Sequence, residues 1–299
     1  MFVEIGDYKV GPEYPPFLVA ELGINFATNN NRNFLETALD MMYYAKMSGA
    51  NACKFQKRTP RVCVPRDQWD KPRETPWGLR TYIEYKEDIE FGQREYDAIA
   101  QQAKELGIMW FASVWDEPSV EFMEQYDPPC YKIGSASLTD HALLDVVRAT
   151  GRPIVLSTGM STPGEIVHSM RLLGEEGNVI LCHSTSIYPC PKAQLNLRMI
   201  PQLQYLFPGD IVGYSGHEAG TEVTPAAVAL GASYIERHFT LDRRGWGTDQ
   251  AASIEHWQFH HMADQCHAIW VALGDGIKQV YPEEEAKKVS LKRDQGAPV

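Results

Sequence analysis

Two lysines embedded in apolar runs are the first residues of this chain that call for a chemical reason. Lys54 sits in Ala52-Cys53-Lys54-Phe55-Gln56 and Lys132 in Cys130-Tyr131-Lys132-Ile133, and an unpaired buried ammonium is costly. A phosphate or carboxylate ligand would supply the missing partner, and so would an internal carboxylate such as Glu21 or Glu236. A polar residue closes or follows nearly every other apolar run as well: Glu21 and Asn25, Gln56, Ser113, Ser135, Ser157, then His183, Ser186 and Tyr188, then Ser215, His217, Glu236 and His238. Asp249 follows in the last loop. Two lysines converging with Ser113, Ser135, Ser157 and Ser215 would make an oxyanion pocket. His217 and His238 end consecutive runs and fit either a hydrogen-bonded structural pair or two ligands of a labile divalent ion, Mn²⁺ or Mg²⁺, completed by water and substrate oxygens. A lysine that forms a Schiff base is a third chemistry open to Lys54 or Lys132. His256, His260, His261 and His267 have helical spacing without H-E-x-x-H and read as packing or surface residues.

Such scattered residues meet only if the elements between them bring strand ends together. Eight short runs, at 17–24, 51–56, 108–114, 130–135, 153–157, 178–184, 211–215 and 232–238, are apolar on consecutive positions. That is the pattern of strands covered on both faces of a parallel sheet. Helical periodicity fills 34–48, 93–106, 117–125, 141–150, 163–173, 195–207, 221–230 and 256–273, and several of these segments close on a glycine. Eight strand-then-helix units predict an α/β fold, a (β/α)₈ TIM barrel over 17–280. Residues 1–16 would form a small hairpin closing one end, and 281–299 a charged tail. An open doubly wound sheet competes, but the turn after the first run is not G-x-G-x-x-G. The long stretch 57–91 carries Arg58, Arg61, Arg66, Arg73 and Arg80. It follows the second strand and would lie over the C-terminal face, where barrel active sites form.

Composition narrows the function classes. With 28 Lys+Arg against 39 Asp+Glu the net charge is -11, which argues against nucleic acid or an anionic membrane as partner. No apolar stretch approaches the roughly 20 residues of a transmembrane helix. The first ten residues carry Glu4 and Asp7 and lack a signal-peptide pattern, so the expected location is the cytoplasm. Six cysteines form no C-x-x-C pair, and neither disulfides nor a structural zinc is expected.

Several of these segments, in order and in register, resemble sialic acid synthases of the NeuB type. They are Ala20-Glu21-Leu22-Gly23-Ile24-Asn25, Lys54-Phe55-Gln56, Tyr131-Lys132-Ile133-Gly134-Ser135, Leu156-Ser157-Thr158-Gly159-Met160, His183 with Ser186-Ile187-Tyr188-Pro189, Ser215-Gly216-His217 and Ile235-Glu236-Arg237-His238-Phe239-Thr240. The resemblance implies a barrel enzyme, a transferase, that condenses phosphoenolpyruvate with an open-chain aldose, N-acetylmannosamine or similar, giving a sialic-acid-like 2-keto-3-deoxy ulosonic acid and phosphate. By that likeness Lys54, Lys132, Ser135, Ser157, Ser186 and Ser215 hold phosphoenolpyruvate, with Ser113 beside them. His217 and His238 bind the divalent metal, and Glu21, Gln56, Tyr188 and Asp249 face the sugar. Glu21 could also move a proton, and the implied assembly is a homodimer. A related synthase using a legionaminic or pseudaminic precursor or a shorter sugar, or an impaired barrel acting as a binding subunit, stays open beside this reading.

The chain also departs from the family pattern. Ser137 stands where a Glu is usual two residues after the serine of Lys-Ile-x-Ser, with Asp140 as a conceivable substitute; Asn25-Phe26-Ala27-Thr28 replaces Asn-His-Asn-Gly; Gly216 replaces the Asp of Ser-Asp-His; Val114 and Ser186 replace a Thr and an Asn. These departures fall around the sugar and the metal, while both lysines and both histidines persist. The family usually continues into a C-terminal antifreeze-like domain that sets an arginine over the sugar site. A chain of 299 residues is expected to be a short form whose lid comes from 57–91 or from a separate polypeptide.

Overall fold

The computed structural model describes residues 1–28, 33–174 and 178–292. Its centre is a closed parallel barrel of eight strands: β1 (Phe17–Gly23), β2 (Ala52–Lys57), β3 (Met109–Val114), β4 (Tyr131–Ile133), β5 (Ile154–Ser157), β6 (Val179–Ser184), β7 (Ile211–Gly216) and β8 (Tyr234–Thr240). Each strand pairs with the next, and β8 returns to β1 in the register Tyr234↔Phe17 through His238↔Glu21, so no barrel edge is left open. Helices α1 (Phe34–Met47), α2 (Gln93–Leu106), α3 (Glu117–Glu124), α4 (His141–Ala149), α5 (Pro163–Leu173), α6 (Met199–Leu206), α7 (Thr224–Ala229) and α8 (His256–Leu273) follow their strands in turn. The predicted (β/α)₈ barrel is the observed fold.

The barrel interior explains how the site is placed. Inward positions recur with period two along each strand, and their chemistry changes part-way up. Phe17 and Val19 come before Glu21, Ala52 before Lys54, Phe111 before Ser113, Val155 before Ser157, Ile180 and Cys182 before Ser184, and Tyr234 before Glu236. The lower, apolar members pack together with Val3, Ile5 and Val10 of the antiparallel hairpin Val3–Ile5/Tyr8–Val10, which plugs that end. Each such side chain withdrawn from water contributes about 1.5–3 kcal/mol. The polar members all lie at the opposite end. Outward-facing strand residues pack instead against the helices in a second, larger core.

Several local expectations shift. The helix expected over 195–207 starts at Met199, because the left-handed Asn196 (φ 46°), just after a single 3₁₀ turn (Lys192–Gln194), breaks its first residues. The stretch 57–91 is not irregular. It holds a short helix (Pro60–Cys63), a hairpin (Pro72–Thr75/Gly78–Thr81) and a helix (Tyr82–Asp88) started by a Thr81–Glu84 capping box. Lys57 clamps its two ends: Nζ lies 2.7 Å from Glu90 Oε1 and donates to the Phe91 carbonyl at 3.0 Å. Phe26, one of the departures noted above, stacks on Phe91 at 4.2 Å and so ties the β1–α1 loop to this excursion. In the expected tail Pro282–Leu291 is a helix, with three glutamates in its first turn and Lys288 near its end; 293–299 lie outside the described residues. Among the described residues no helix is long and apolar enough to cross a membrane.

Candidate active site

At the C-terminal end of the barrel lies a cavity of about 530 Å³, within the usual range for a small-molecule site. Its wall contains every residue singled out from the sequence as a site residue. Glu21, Lys54, Gln56, Ser113 and Lys132 come from β1 to β4, Ser135 from just after β4, Ser157 from the end of β5, Ser186 and Tyr188 from the loop after β6, and Ser215, His217, His238 and Asp249 from the last two strands and the loop beyond. Two residues grouped with them do not reach it. Asn25 is turned aside to the Phe239 carbonyl and Ser253 Oγ, and His183 faces outward with Nε2 2.7 Å from the Leu195 carbonyl.

The floor is a closed set of charges. Lys54 Nζ lies 2.7 Å from Glu21 Oε2 and 3.6 Å from Glu236 Oε1, and Lys132 Nζ lies 3.4 Å from the same Glu236 oxygen. All four side chains are buried. The internal-carboxylate alternative holds, and the paired lysines also line the cavity. Lys132 donates to Ser157 Oγ at 2.7 Å, while Glu236 accepts from Ser215 at 3.1 Å and Tyr234 at 2.8 Å. Burial opposes the charge on Lys54, but Glu21 and Glu236 outweigh it and raise its pKa. Burial likewise opposes Glu236, and Lys132 and Lys54 outweigh it and hold the carboxyl below its usual range. Carboxylates that favour the protonated Lys54 work against the neutral amine that imine formation needs.

Above the floor, hydroxyls converge. Ser135 Oγ accepts from the Gly159 amide at 3.0 Å, and Ser186 Oγ is buried without a partner among the described residues. A Cβ at Gly159 would collide with the Oγ of both Ser135 and Ser186, so glycine there lets a backbone N–H and two hydroxyls share one space. That is the donor set an anionic oxygen requires.

His217 and His238 face each other with ring centroids 5.4 Å apart, and the Tyr188 ring stands 4.1 Å from the first. His217 Nδ1 is 2.8 Å from the Thr185 carbonyl, which can only accept, so the proton sits on Nδ1 and the Nε2 lone pair is left for a ligand. Burial, then neighbouring His238, depress the His217 pKa to about 3, keeping the ring neutral. His238 Nδ1 is buried with no hydrogen bond and lies 3.7 Å from Asp249 Oδ2. Two imidazoles of this kind, one with an orphaned nitrogen, fit an ion that takes its remaining ligands from water and substrate. Among the described residues no group of three or more His, Cys, Asp or Glu is arranged for a metal. Burial raises the Asp249 pKa, but His238, Thr248, Arg58 and Lys86 together bring it below the usual range.

The departures have structural reasons. Ser137 lies in a 3₁₀ turn (Ser135–Ser137) off the cavity wall. Asp140 does not take the place of the missing carboxylate, because it accepts from the Leu143 amide at 3.2 Å as the cap of α4. Gly216 cannot be an aspartate, since a Cβ there would stand 2.6 Å from the Tyr214 ring. Arg58, Lys86, Trp115, Ser184 and Glu236 also line the cavity. Of these, Glu236 drew notice in the sequence as a counter-ion and Arg58 as one of the arginines of 57–91 that could supply a lid. Arg58, Trp115 and Ser184 extend the same alternation (54, 56, 58; 113, 115; 180, 182, 184), a signal that was available.

Residues 41–278 match the NeuB family. Human N-acetylneuraminate-9-phosphate synthase is 35% identical over 280 residues, 93% of this chain and 76% of that protein. N,N'-diacetyllegionaminic acid synthase of Campylobacter jejuni is 31% identical over 286 residues, 92% of this chain and 82% of its own. A crystal structure of N-acetylneuraminic acid (sialic acid) synthetase from Leptospira borgpetersenii, in complex with citrate, superposes with a TM-score of 0.85 at 26% identity and covers 98% of both chains. Barrel, cavity and sequence agree, and the chain belongs to the NeuB family as a synthase of the transferase class.

Proposed function

We propose that this enzyme joins phosphoenolpyruvate to the aldehyde of an open-chain aldose of the N-acetylmannosamine kind, giving a 2-keto-3-deoxy ulosonic acid and inorganic phosphate. The observation that carries the reading is the buried floor of Lys54, Lys132, Glu21 and Glu236 lying beneath a ring of serines and a pair of facing histidines in one cavity. C3 of phosphoenolpyruvate bonds to the aldehyde carbon, water adds at C2, and phosphate leaves with cleavage of its C–O bond.

Each group has a task in that sequence. Lys54 and Lys132, with the hydroxyls of Ser135, Ser157, Ser186 and Ser215, bind the phosphate and carboxylate of phosphoenolpyruvate, and Ser113 borders them. The fixed Glu21–Lys54 pair hands a proton to or from the reacting oxygens. Gln56, Tyr188 and Asp249 orient the sugar hydroxyls. His217 and His238 would hold Mn²⁺ or Mg²⁺, which as a Lewis acid polarises the aldehyde.

The test is release of phosphate and of a 2-keto acid from phosphoenolpyruvate and Mn²⁺ with a panel of aldoses, including legionaminic and pseudaminic precursors. N-Acetylmannosamine or a close relative should give turnover. Phosphate no higher than in the sugar-free control, across the whole panel, would overturn the reading.

A further inference from the structure

Behind the two histidines, on the outer side of the barrel wall, lies an ion pair that does not line the cavity. Side chains alternate along β7 and β8, so Ser215 and His217 face the cavity together with Glu236 and His238. Tyr214 packs in the outer core instead, and with it go Glu218 and Arg237. Arg237 Nη1 lies 3.0 Å from Glu218 Oε1, and both side chains are fully buried. The same nitrogen donates to the Gly220 carbonyl at 3.0 Å and to Thr224 Oγ1 at 2.6 Å, and Nη2 donates to the Glu218 carbonyl at 2.5 Å. Glu218 accepts in turn from Tyr214 Oη at 2.8 Å and from Thr224 Oγ1 at 2.7 Å. A Cβ at Gly216 would stand 2.5 Å from Glu218 Oε2, so the glycine that departs from the family pattern makes room for this carboxylate. Withdrawing both charges from water is costly, and packed apolar side chains of similar volume hold a fold as well or better. Stability alone does not account for the pair.

Its place in the chain does. The β7–β8 ladder ends at Gly216↔Arg237 and the β6–β7 ladder at Ser184↔Ser215, so His217 lies past the barrel pairing on both sides. His238, by contrast, is still in register with Glu21 of β1. What ties residues 217 and 218 back to β8 is Arg237, bonded to both the carboxylate and the carbonyl of Glu218. From the β6 side the Cys190 amide donates to the His217 carbonyl at 2.9 Å, and the Thr185 carbonyl aims the ring. We propose, resting on the metal-binding part of the reading above, that Arg237 and Glu218 are positioning residues, which set His217 against His238 as two ligands of one divalent ion. Each histidine is joined by a single peptide bond to one member of the pair. The planar guanidinium suits the task, because its fork reaches four acceptors between residues 218 and 224 in a fixed geometry that a lysine ammonium does not reproduce.

The experiment titrates Mn²⁺ calorimetrically into the wild type, into Arg237→Lys and into the double variant Glu218→Leu/Arg237→Met. Leu144→Ala, a buried position on α4, serves as the control for general loosening. The double variant removes both charges together, so its urea midpoint should stay near that of the wild type. Its Mn²⁺ affinity should nevertheless fall about 10–100-fold, the loss typical of an outer partner. Arg237→Lys keeps the charge without the fork and should lose about tenfold or more. Leu144→Ala should unfold at lower urea and bind Mn²⁺ as the wild type does. In turnover, kcat of the pair variants should fall while KM for phosphoenolpyruvate stays within about twofold, since Lys54, Lys132 and the serines keep their places. A loss of Mn²⁺ affinity in either pair variant with none in Leu144→Ala supports the proposal, and Arg237→Lys decides alone should the double variant not fold. Wild-type affinity in the pair variants, an equal loss in Leu144→Ala, or a wild type that binds no Mn²⁺ overturns it. If no aldose turns over, the synthase reading falls and the Mn²⁺ titration still decides this one.

Discussion

The floor and the mouth of the cavity hold similar charges in opposite ways. On the floor, Lys54 and Lys132 share Glu236 and meet Glu21, each charge fixed by an opposite one and by the hydroxyls of Ser157, Ser215 and Tyr234. At the mouth, Arg58, Lys86 and Arg73 are held by the faces of Trp115, Tyr85 and Trp246, without paired carboxylates among the described residues. The floor rides on barrel strands whose positions are set by the sheet. The mouth rides on an excursion docked by aromatic contacts such as Trp77 on Phe34 and Tyr85 on Trp246. Charges neutralised before a ligand arrives act chiefly as geometry, and charges left open act as affinity. The two regions should therefore respond differently to the same kind of substitution.

The largest effect is expected from Glu236→Gln. It leaves Lys54 with Glu21 alone and buried Lys132 with no carboxylate among the described residues, and breaking a buried pair on one side costs about 3–5 kcal/mol. Urea unfolding should show a loss of that size together with collapse of turnover. Lys86→Met, which removes a mouth cation, should cost nothing or stabilise. If Glu236→Gln unfolds at the wild-type midpoint, the distinction between floor and mouth fails.

Next in size is His238→Ala. Its ring holds no structural hydrogen bond through Nδ1, so the fold should stand. Mn²⁺ affinity, read by calorimetry, should fall by more than the roughly 10–100-fold typical of an outer partner. Unchanged Mn²⁺ binding would move the metal away from these histidines, and treatment with EDTA should abolish wild-type turnover in the same assay.

The contrast also explains what could be read in the sequence. Eight apolar runs and the polar residues at or beyond their ends pointed to the barrel and to thirteen candidates that all line one cavity, because strands of a closed parallel sheet bring their C-terminal ends together whatever the loops do. The finer rule, that inward residues alternate, would have added Trp115 and Ser184, moved Arg58 from the lid to the cavity wall, and set His183 aside; Asn25 shares the parity of Glu21, so its turn away from the cavity was not legible. Lys86 had no such signal. It arrives on a helix inside a stretch rich in Pro, Arg and Trp, whose order depends on Lys57 clamping Glu90 and on aromatic packing against Trp246, contacts between residues far apart in the chain. The roles of Glu21 and Glu236 as counter-ions were visible only as one of two alternatives, since a sequence lists a lysine and a carboxylate without showing that they face the same cavity.

The smallest effect concerns pH. Lys86 falls from 10.5 to about 7 on folding, through burial and the like charges of Arg58 and Arg73. A base whose pKa is lower in the folded state binds fewer protons there than in the unfolded chain, so unfolding takes up protons between about pH 7 and 10 and stability rises with pH across that window. Below pH 7 the destabilisation by the charged ammonium is fully present; above pH 10 it has gone. The difference in unfolding free energy between wild type and Lys86→Met cancels the other titrating groups, and it should drift in favour of the wild type as pH climbs from 7 to 10. A difference that stays flat with pH would mean that Lys86 is an ordinary solvated lysine and that the mouth holds no open charge of its own.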